Sequence, residues 1–269
     1  MTRHRFPAFA ATAAMLAALA APVLAAPCGN DASGFAAWKQ AFAAEAAAEG
    51  VGAPGLAALA QTRYATRTIN ADRNQRSFRL SYEAFCQKRG CDVIVAQGRQ
   101  RKAQYADFYA ALERAYGVPA GVLIAIHGME TGFGRFMGDS NVLSAVATLA
   151  YDCRRPEFFR PHLIAALVLV DRGALSPGSI GAMHGELGHT QFLPANVLAY
   201  GQDANGDGRI DLTNLTDAMA STANYLRQKG WRPGQGYQPG EPNFAVIEEW
   251  NAAIVYQQAI ARMAAQIDR

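Results

Sequence analysis

One carboxylate, Glu130, ends the apolar run Val118-Pro-Ala-Gly-Val-Leu-Ile-Ala-Ile-His-Gly-Met-Glu-Thr-Gly-Phe-Gly-Arg135. Pro119 suits a first helical turn, where no main-chain N–H is needed. Val122, Ile126 and Glu130 are spaced i, i+4, i+8 and share one helix face, so Glu130 falls on the apolar stripe. Gly132 and Gly134 then end the helix. A desolvated carboxyl holds its proton above the usual carboxylate range, and this is how a general acid is built. The ordinary alternative is a helix-end Glu paired with Arg135.

A second cluster has the chemistry of a hard-cation site. Asp203, Asn205, Asp207, Gly208 and Asp211 occupy positions 1, 3, 5, 6 and 9 of an EF-hand loop, and Arg209 would offer its carbonyl. Position 12 is Asn214 instead of Glu; Asp217 replaces it if the loop is extended. A metal-capable loop of weak to moderate affinity is expected, against the alternative of an Asx-rich turn held by its own side chains.

Four cysteines complete the inventory: Cys28, Cys86, Cys91 and Cys153. The N-terminus reads as an export signal over 1–25: basic residues Arg3 and Arg5, an uncharged Ala/Leu-rich run, then Val23-Leu24-Ala25 as a cleavage pattern. Pro27 before Cys28 argues against a lipid anchor, so a periplasmic protein without one is expected. In that compartment an even cysteine count favours disulfides, and three pairings are open. Cys86 and Cys91 are close enough to close a local loop, after which Cys28 would reach Cys153. Free buried thiols are the alternative; no Cys/His spacing matches a zinc site.

The elements that must position these groups read as helices. In a chain of 269 residues, 51% hydrophobic, a sizeable core is available. Removing Arg3 and Arg5 from the formal charge of +3 leaves the remainder near neutral, so nothing calls for nucleic acid. No later run is apolar over 18 residues, so no transmembrane helix is expected. Helices are predicted at 35–50, 56–62, 82–88, 99–116, 141–152, 156–173, 216–229 and, as one helix or two, 245–267. In 99–116, Tyr105, Phe108, Leu112 and Ala115 share the expected buried face. The stretch 63–77 reads as polar and irregular, and 185–194 as a glycine-rich turn leading into a short helix stopped by Pro194. Almost no alternating strand pattern occurs, and the fold class is mainly α.

In this setting Met129-Glu-Thr-Gly-Phe-Gly-Arg135, Asn141-Val-Leu-Ser-Ala-Val-Ala-Thr-Leu-Ala-Tyr151, Gly188-His-Thr-Gln-Phe-Leu-Pro194, the 203–211 loop and Ala223-Asn-Tyr225 resemble, in order, the motifs of the membrane-bound lytic transglycosylase B family. The resemblance covers about 97–269 well. It implies a lysozyme-like α fold with a helical region over 26–115 and a catalytic core over 116–269 that includes an EF-hand-like loop, 203–217. Glu130 is implied as catalytic acid and base. Gln191, Asn224, Tyr225 and Tyr256 are implied along the sugar groove, and Phe133, like Tyr225 and Tyr256, suits stacking on a sugar ring, against the alternative of a core aromatic. The resemblance also implies structural Ca²⁺ on Asp203, Asn205, Asp207, Arg209 and Asp217, with no cofactor for catalysis. The chain departs from the family at Ala182, where some members have serine, at Glu186, where a small residue is usual, at His127, where tryptophan is common, and at Trp250, where tyrosine is frequent.

The expected reaction is cleavage of the MurNAc–GlcNAc β-1,4 bond of peptidoglycan without water, giving 1,6-anhydro ends, by a monomer acting on glycan strands. A neutral acid protonates the leaving oxygen; no second carboxylate is obvious, and the sugar's own N-acetyl group can stabilise the anomeric cation. The competing readings are a hydrolase of the same fold, with Asp139 or Glu186 activating water, and a noncatalytic glycan-binding protein.

Overall fold

The computed structural model describes residues 26–74 and 80–269. The expected export signal, 1–25, lies outside the described residues. The chain forms α1 (Phe35–Ala48), α2 (Ala53–Gln61), α3 (Thr66–Arg73), α4 (Tyr82–Arg89), α5 (Cys91–Gln104) and α6 (Ala106–Tyr116), then α7 (Ala120–Thr131), which carries Glu130. The second half contains β1 (Ser140–Asn141), α8 (Val142–Tyr151), α9 (Pro156–Asp171), β2 (Ile180–Gly181), α10 (Pro194–Tyr200), α11 (Leu215–Gln228), α12 (Phe244–Trp250) and α13 (Ile254–Asp268). The two short strands pair antiparallel, Ser140 opposite Gly181 and Asn141 opposite Ile180.

Helix α7 is the centre. Every residue in it except Glu130 is buried. It packs against α5 and α13, whose own buried residues recur at helical spacing: Tyr256, Ala259, Ile260, Met263, Ala264 and Ile267 in α13. The approach to α13 is close. A Cβ on Gly121 would stand 2.4 Å from the carbonyl oxygen of Ala264, so only glycine fits this contact. Helix α1 buries Phe35, Trp38, Phe42 and Ala46, and the Tyr151 ring lies 5.4 Å from that of Phe35 and 5.5 Å from that of Trp38. One continuous core joins these residues to α7 and α13, so no gap in the core falls near Gly117.

The cysteines pair as Cys28–Cys153 and Cys86–Cys91, the arrangement expected from spacing. The first bond fastens the start of the described chain beside α8, where the Gly29 N–H also donates to the Tyr151 carbonyl at 3.0 Å. Among the described residues no helix is long and apolar enough to cross a membrane.

Four local expectations are corrected. The polar stretch 63–77 contains α3, which buries Thr68, Ile69 and Asp72. Its burial is polar: Arg154 and Arg155 both engage Asp72, and Arg73 meets Asp152 at 2.5 Å. Periodicity of apolar residues has no purchase on such a helix. The predicted helix 99–116 breaks at Tyr105 (φ −118°, ψ 36°). The buried face of α6 is Tyr109 and Leu112, with Ala115 exposed, because the break rotates the second segment. Pro194 starts helix α10 instead of stopping one, consistent with proline's preference for the first turn.

Candidate active site

Glu130 sits in the last turn of α7 and lines a cleft of about 300 Å³ with Glu186, Gln191, Asn196, Tyr225 and Trp250. The cleft exists because three segments converge on the end of α7. The turn after α7 is left-handed at Gly132 (φ 57°) and again at Phe133 (φ 67°). The 188–192 turn is left-handed at Gln191 (φ 59°). Phe133 and Gln191 are the non-glycine residues with positive φ among the described residues; each such conformation costs about 1–2 kcal/mol, and strain of this kind collects at functional sites.

These two turns are tied to one another. The Thr131 hydroxyl donates to the His189 carbonyl at 2.8 Å, and His127 Nε2 lies 3.0 Å from His189 Nδ1. Gln191 Nε2 donates to the carbonyl of Gly188 at 2.8 Å, which folds the side chain over its own turn. The third segment, 182–186, is closed by Ala182 N–H to the Glu186 carbonyl at 2.8 Å and by Thr68 Oγ1 of α3 to the Met183 carbonyl at 2.7 Å. The helix that the sequence reading missed therefore holds one wall of the cleft.

Two donors converge on one oxygen of Glu130. Tyr256 Oη donates to Oε1 at 2.5 Å and Trp250 Nε1 donates to the same atom at 3.2 Å. Oε2 accepts no hydrogen bond among the described residues, which leaves it to meet a ligand. Burial pushes the Glu130 carboxyl above its ordinary value; the Tyr256 and Trp250 hydrogen bonds and the Arg89 charge pull the other way, and Glu186 adds to the rise. Burial, with Glu130 beside it, also holds the Tyr256 phenol well above its usual range, so it stays a donor. Glu186 differs. Burial opposes its charge, yet the His184 side chain and main-chain N–H groups prevail and bring its carboxyl below the ordinary value. One cleft thus holds two carboxyls whose surroundings push their proton affinities in opposite directions, Glu130 up and Glu186 down.

The expected groove residues separate into two sets. Gln191 and Tyr225 line the cleft, and Tyr256 reaches it through Glu130. The Tyr225 hydroxyl donates to the Glu249 carbonyl at 2.5 Å, and its ring lies 5.2 Å from Trp250, edge to face. Asn224 Nδ2 instead donates to the Tyr200 carbonyl at 2.9 Å, joining α11 to α10. Phe133 is 6% exposed, packs edge-on to His127 at 5.3 Å and lies under Arg101 at 4.5 Å. It supports the turn and does not line the cleft, because its left-handed backbone carries the ring inward. Asp139 is exposed and paired with Arg67 at 2.9 Å, away from the cleft lining. Asn196 and Asn251 line the cleft without having been singled out; an amide beside a proline or helix start carries no local signal that separates it from an ordinary cap.

The 203–217 loop is closed by main-chain donors. Asp203 accepts from the N–H groups of Gly206, Asp207 and Gly208. Asp217 is fully buried, accepts from Ala204, Asn205 and Asp211 N–H groups at 2.9–3.1 Å, and makes no ion pair among the described residues. Asn214, at the twelfth position, caps α11 by accepting from Thr216 N–H. Among the described residues no three His, Cys, Asp or Glu side chains converge as a metal-holding group.

Residues 34–240 match the Transglycosylase SLT domain model. The chain belongs to that family. Within the SLT transglycosylase family, a stretch of 149 residues is 36% identical to membrane-bound lytic murein transglycosylase B of Escherichia coli (strain K12), covering 52% of this chain and 41% of that protein. SltB3 from Pseudomonas aeruginosa has a similar fold (TM-scores 0.79 and 0.77, 29% identity, 86% of this chain and 78% of that chain) and has been solved with NAG-NAM-pentapeptide and with NAG-anhNAM-pentapeptide. Escherichia coli lytic transglycosylase SLT35, solved in complex with calcium, shares the fold at a TM-score of 0.75 and 23% identity, covering 90% of this chain and 96% of that chain.

Proposed function

We propose that this protein is a lytic murein transglycosylase that cuts the MurNAc–GlcNAc β-1,4 bond of peptidoglycan and leaves 1,6-anhydro-MurNAc ends. The observation that carries the proposal is the state of Glu130: a carboxyl desolvated at the foot of a cleft, with Oε1 occupied by Tyr256 and Trp250 and Oε2 open to a ligand. In its neutral form the proton belongs on Oε2, because Oε1 already accepts two hydrogen bonds. That proton goes to the glycosidic oxygen as the C1–O bond breaks. The carboxylate so formed is stabilised by the same two donors. It then takes the proton from the C6 hydroxyl as that oxygen bonds to C1, which closes the anhydro ring and returns Glu130 to its starting state. The sugar's N-acetyl group shares the developing positive charge. Gln191, Tyr225 and Trp250 bind and orient the glycan.

A single experiment tests this. Purified murein sacculi are digested and the released muropeptides are weighed and treated with borohydride. Anhydro ends, one water lighter and inert to borohydride, are expected. Reducing ends would replace the proposal with hydrolysis, a reading favoured only by the presence of Glu186 in the cleft.

We further propose that the 203–217 loop holds a structural Ca²⁺. Its donors are hard oxygens, from Asp203, Asn205, Asp207, the Arg209 carbonyl and Asp217, and Asp217, a buried carboxylate with no ion pair among the described residues, fits beside a divalent ion. The ion would brace the loop leading into α11, which carries Tyr225. The two disulfides suit an oxidising compartment, and we place the enzyme in the periplasm with its polymeric substrate.

A further inference from the structure

The mechanism above uses one carboxyl, yet the cleft has two. Glu186 lines it together with Glu130, and its side chain is 24% exposed, partly withdrawn from solvent. It is also immobilised. The main-chain N–H of His184 donates to Oε2 at 3.0 Å, and His184 Nδ1 lies 3.3 Å from Oε1. Gly185, between them, is left-handed (φ 90°), and a Cβ there would stand 2.2 Å from Val146 Cγ2, so the turn tolerates no other residue. Thr68 and Ala182 pin the remainder of the turn. A carboxylate whose two oxygens are both engaged by His184, one by its main-chain N–H and one by its ring, has the construction of a fixed charge instead of a mobile base.

We infer that Glu186, clamped by His184, is a fixed anion that makes this cleft favour positive charge, keeping the proton on Glu130 before cleavage and stabilising the anomeric cation during it. The inference rests on the glycan-cleaving reading of Glu130. The physical reason is the same in both steps. In a partly dehydrated cleft that both carboxyls line, a fixed negative charge disfavours a second anion and favours a cation. The charged and titratable groups facing Glu130 are Tyr256, Arg89 and Glu186. Tyr256 and Arg89 both favour the ionised form of Glu130, and Glu186 is the group that opposes them. Burial is the larger cause of the raised Glu130 carboxyl; Glu186 adds to it, against the two hydrogen bonds to Oε1 and the Arg89 charge. Glu186 is thus a positioning residue: it donates no proton and forms no bond.

The test compares the unsubstituted enzyme with Glu186→Gln and Glu186→Asp, and with His184→Gln, which loosens the clamp from outside the cleft lining. The kcat, KM and pH profile are measured on purified glycan strands, with product ends analysed in each case and folding checked by thermal melting. The alkaline limb of kcat/KM reports the acid that must be protonated. Removing an anion beside it lowers its pKa, so in Glu186→Gln this limb should move to lower pH by about one unit. Turnover should fall about tenfold or more with KM little changed, because the lost charge acts chiefly in the transition state. Glu186→Asp should restore part of both effects, His184→Gln should shift the limb the same way by less, and the products should keep anhydro ends. An active Glu186→Gln enzyme with an unmoved alkaline limb and unchanged kcat overturns the inference. So do reducing ends that the unsubstituted enzyme releases and Glu186→Gln does not, which would make Glu186 the base for water. If the unsubstituted enzyme releases no fragments from murein, the reading of Glu130 has failed and not that of Glu186 alone.

Discussion

The Tyr256 hydroxyl donates to Oε1 of Glu130 at 2.5 Å across 126 residues of sequence. The contact exists because α13 lies against α7 closely enough that Gly121 has no room for a Cβ. A hydrogen bond to a carboxylate favours the ionised form, so this one opposes the burial that raises the Glu130 carboxyl and prepares it for its second role as base. Tyr256→Phe should therefore raise the Glu130 pKa further and move the alkaline limb of kcat/KM to higher pH. Losing a hydrogen bond to a charged group should also lower kcat/KM about ten- to hundredfold. Steady-state kinetics across pH 4–9 on purified murein decide it; a limb that moves down would show that Tyr256 acts some other way.

Glu130→Gln keeps the shape of the side chain and removes the transferable proton. General acid catalysis is worth about 10²–10⁴-fold, and Glu130 is needed twice, so the loss should exceed that of any cleft substitution, including Tyr256→Phe. Release of anhydro-muropeptides is the readout. The variant should stay folded, since the change removes a buried ionisable group; a melting temperature at or above that of the unsubstituted protein is expected. Residual activity above a tenth would remove Glu130 from the centre of the mechanism.

His127 predicts a pH-dependent stability. It is buried, its Nδ1 has no hydrogen-bond partner, and burial, with His189 and Arg101 nearby, lowers its pKa from 6.5 to about 3. In the unfolded chain the ring takes up a proton near pH 6.5, while in the folded chain it does so only near pH 3. Acid therefore favours unfolding: the contribution is intact above pH 6.5 and is lost as pH falls toward 3, about 2 kcal/mol at pH 5. Urea midpoints at pH 7 and pH 5 should differ accordingly, and His127→Phe should reduce the difference. An equal pH dependence in both proteins would assign the acid sensitivity to other groups.

Calcium should stabilise the protein by binding only the folded loop. At about 100 times the dissociation constant, mass action contributes about 2.7 kcal/mol, or about 5–10 °C in melting temperature for a chain of this size. Asp217→Asn should abolish the response to added Ca²⁺; its amide oxygen can keep the Ala204 and Asn205 N–H bonds made to Oδ1, while the Asp211 N–H loses its acceptor. A melting temperature indifferent to millimolar Ca²⁺ would leave the loop as an Asx-rich turn.

Some features were legible in the residues themselves because their causes are local. The apolar run placed Glu130 in the last turn of α7, and glycine ended that helix where expected; α7 is buried on every side, with Glu130 its one partly exposed residue. The short Cys86–Cys91 spacing left Cys28 to Cys153, and both bonds form. Helices 35–50, 141–152, 156–173 and 216–229 appear within one or two residues at most ends. Helix α3 escaped notice because its buried face is Thr68, Ile69 and Asp72, satisfied by Met183, Arg154 and Arg155 from distant segments. A polar helix has no apolar period to read.

The site itself needed the tertiary structure. Phe133 follows Glu130 by three residues yet turns inward onto His127 and Arg101, while Trp250 and Tyr256, more than a hundred residues away, hold the carboxyl. Glu186 and Asp139 were equal candidates as a second carboxylate until packing put one in the cleft and left the other in solvent beside Arg67. Sequence alone determined that a helical protein would place one carboxyl at the end of an apolar helix, since spacing and turn chemistry act within a few residues. Which groups surround that carboxyl, and so which proton state it holds, was decided only when α13, α3 and the 182–192 turns closed around α7, because hydrogen bonding and charge act across distances that separation along the chain does not encode.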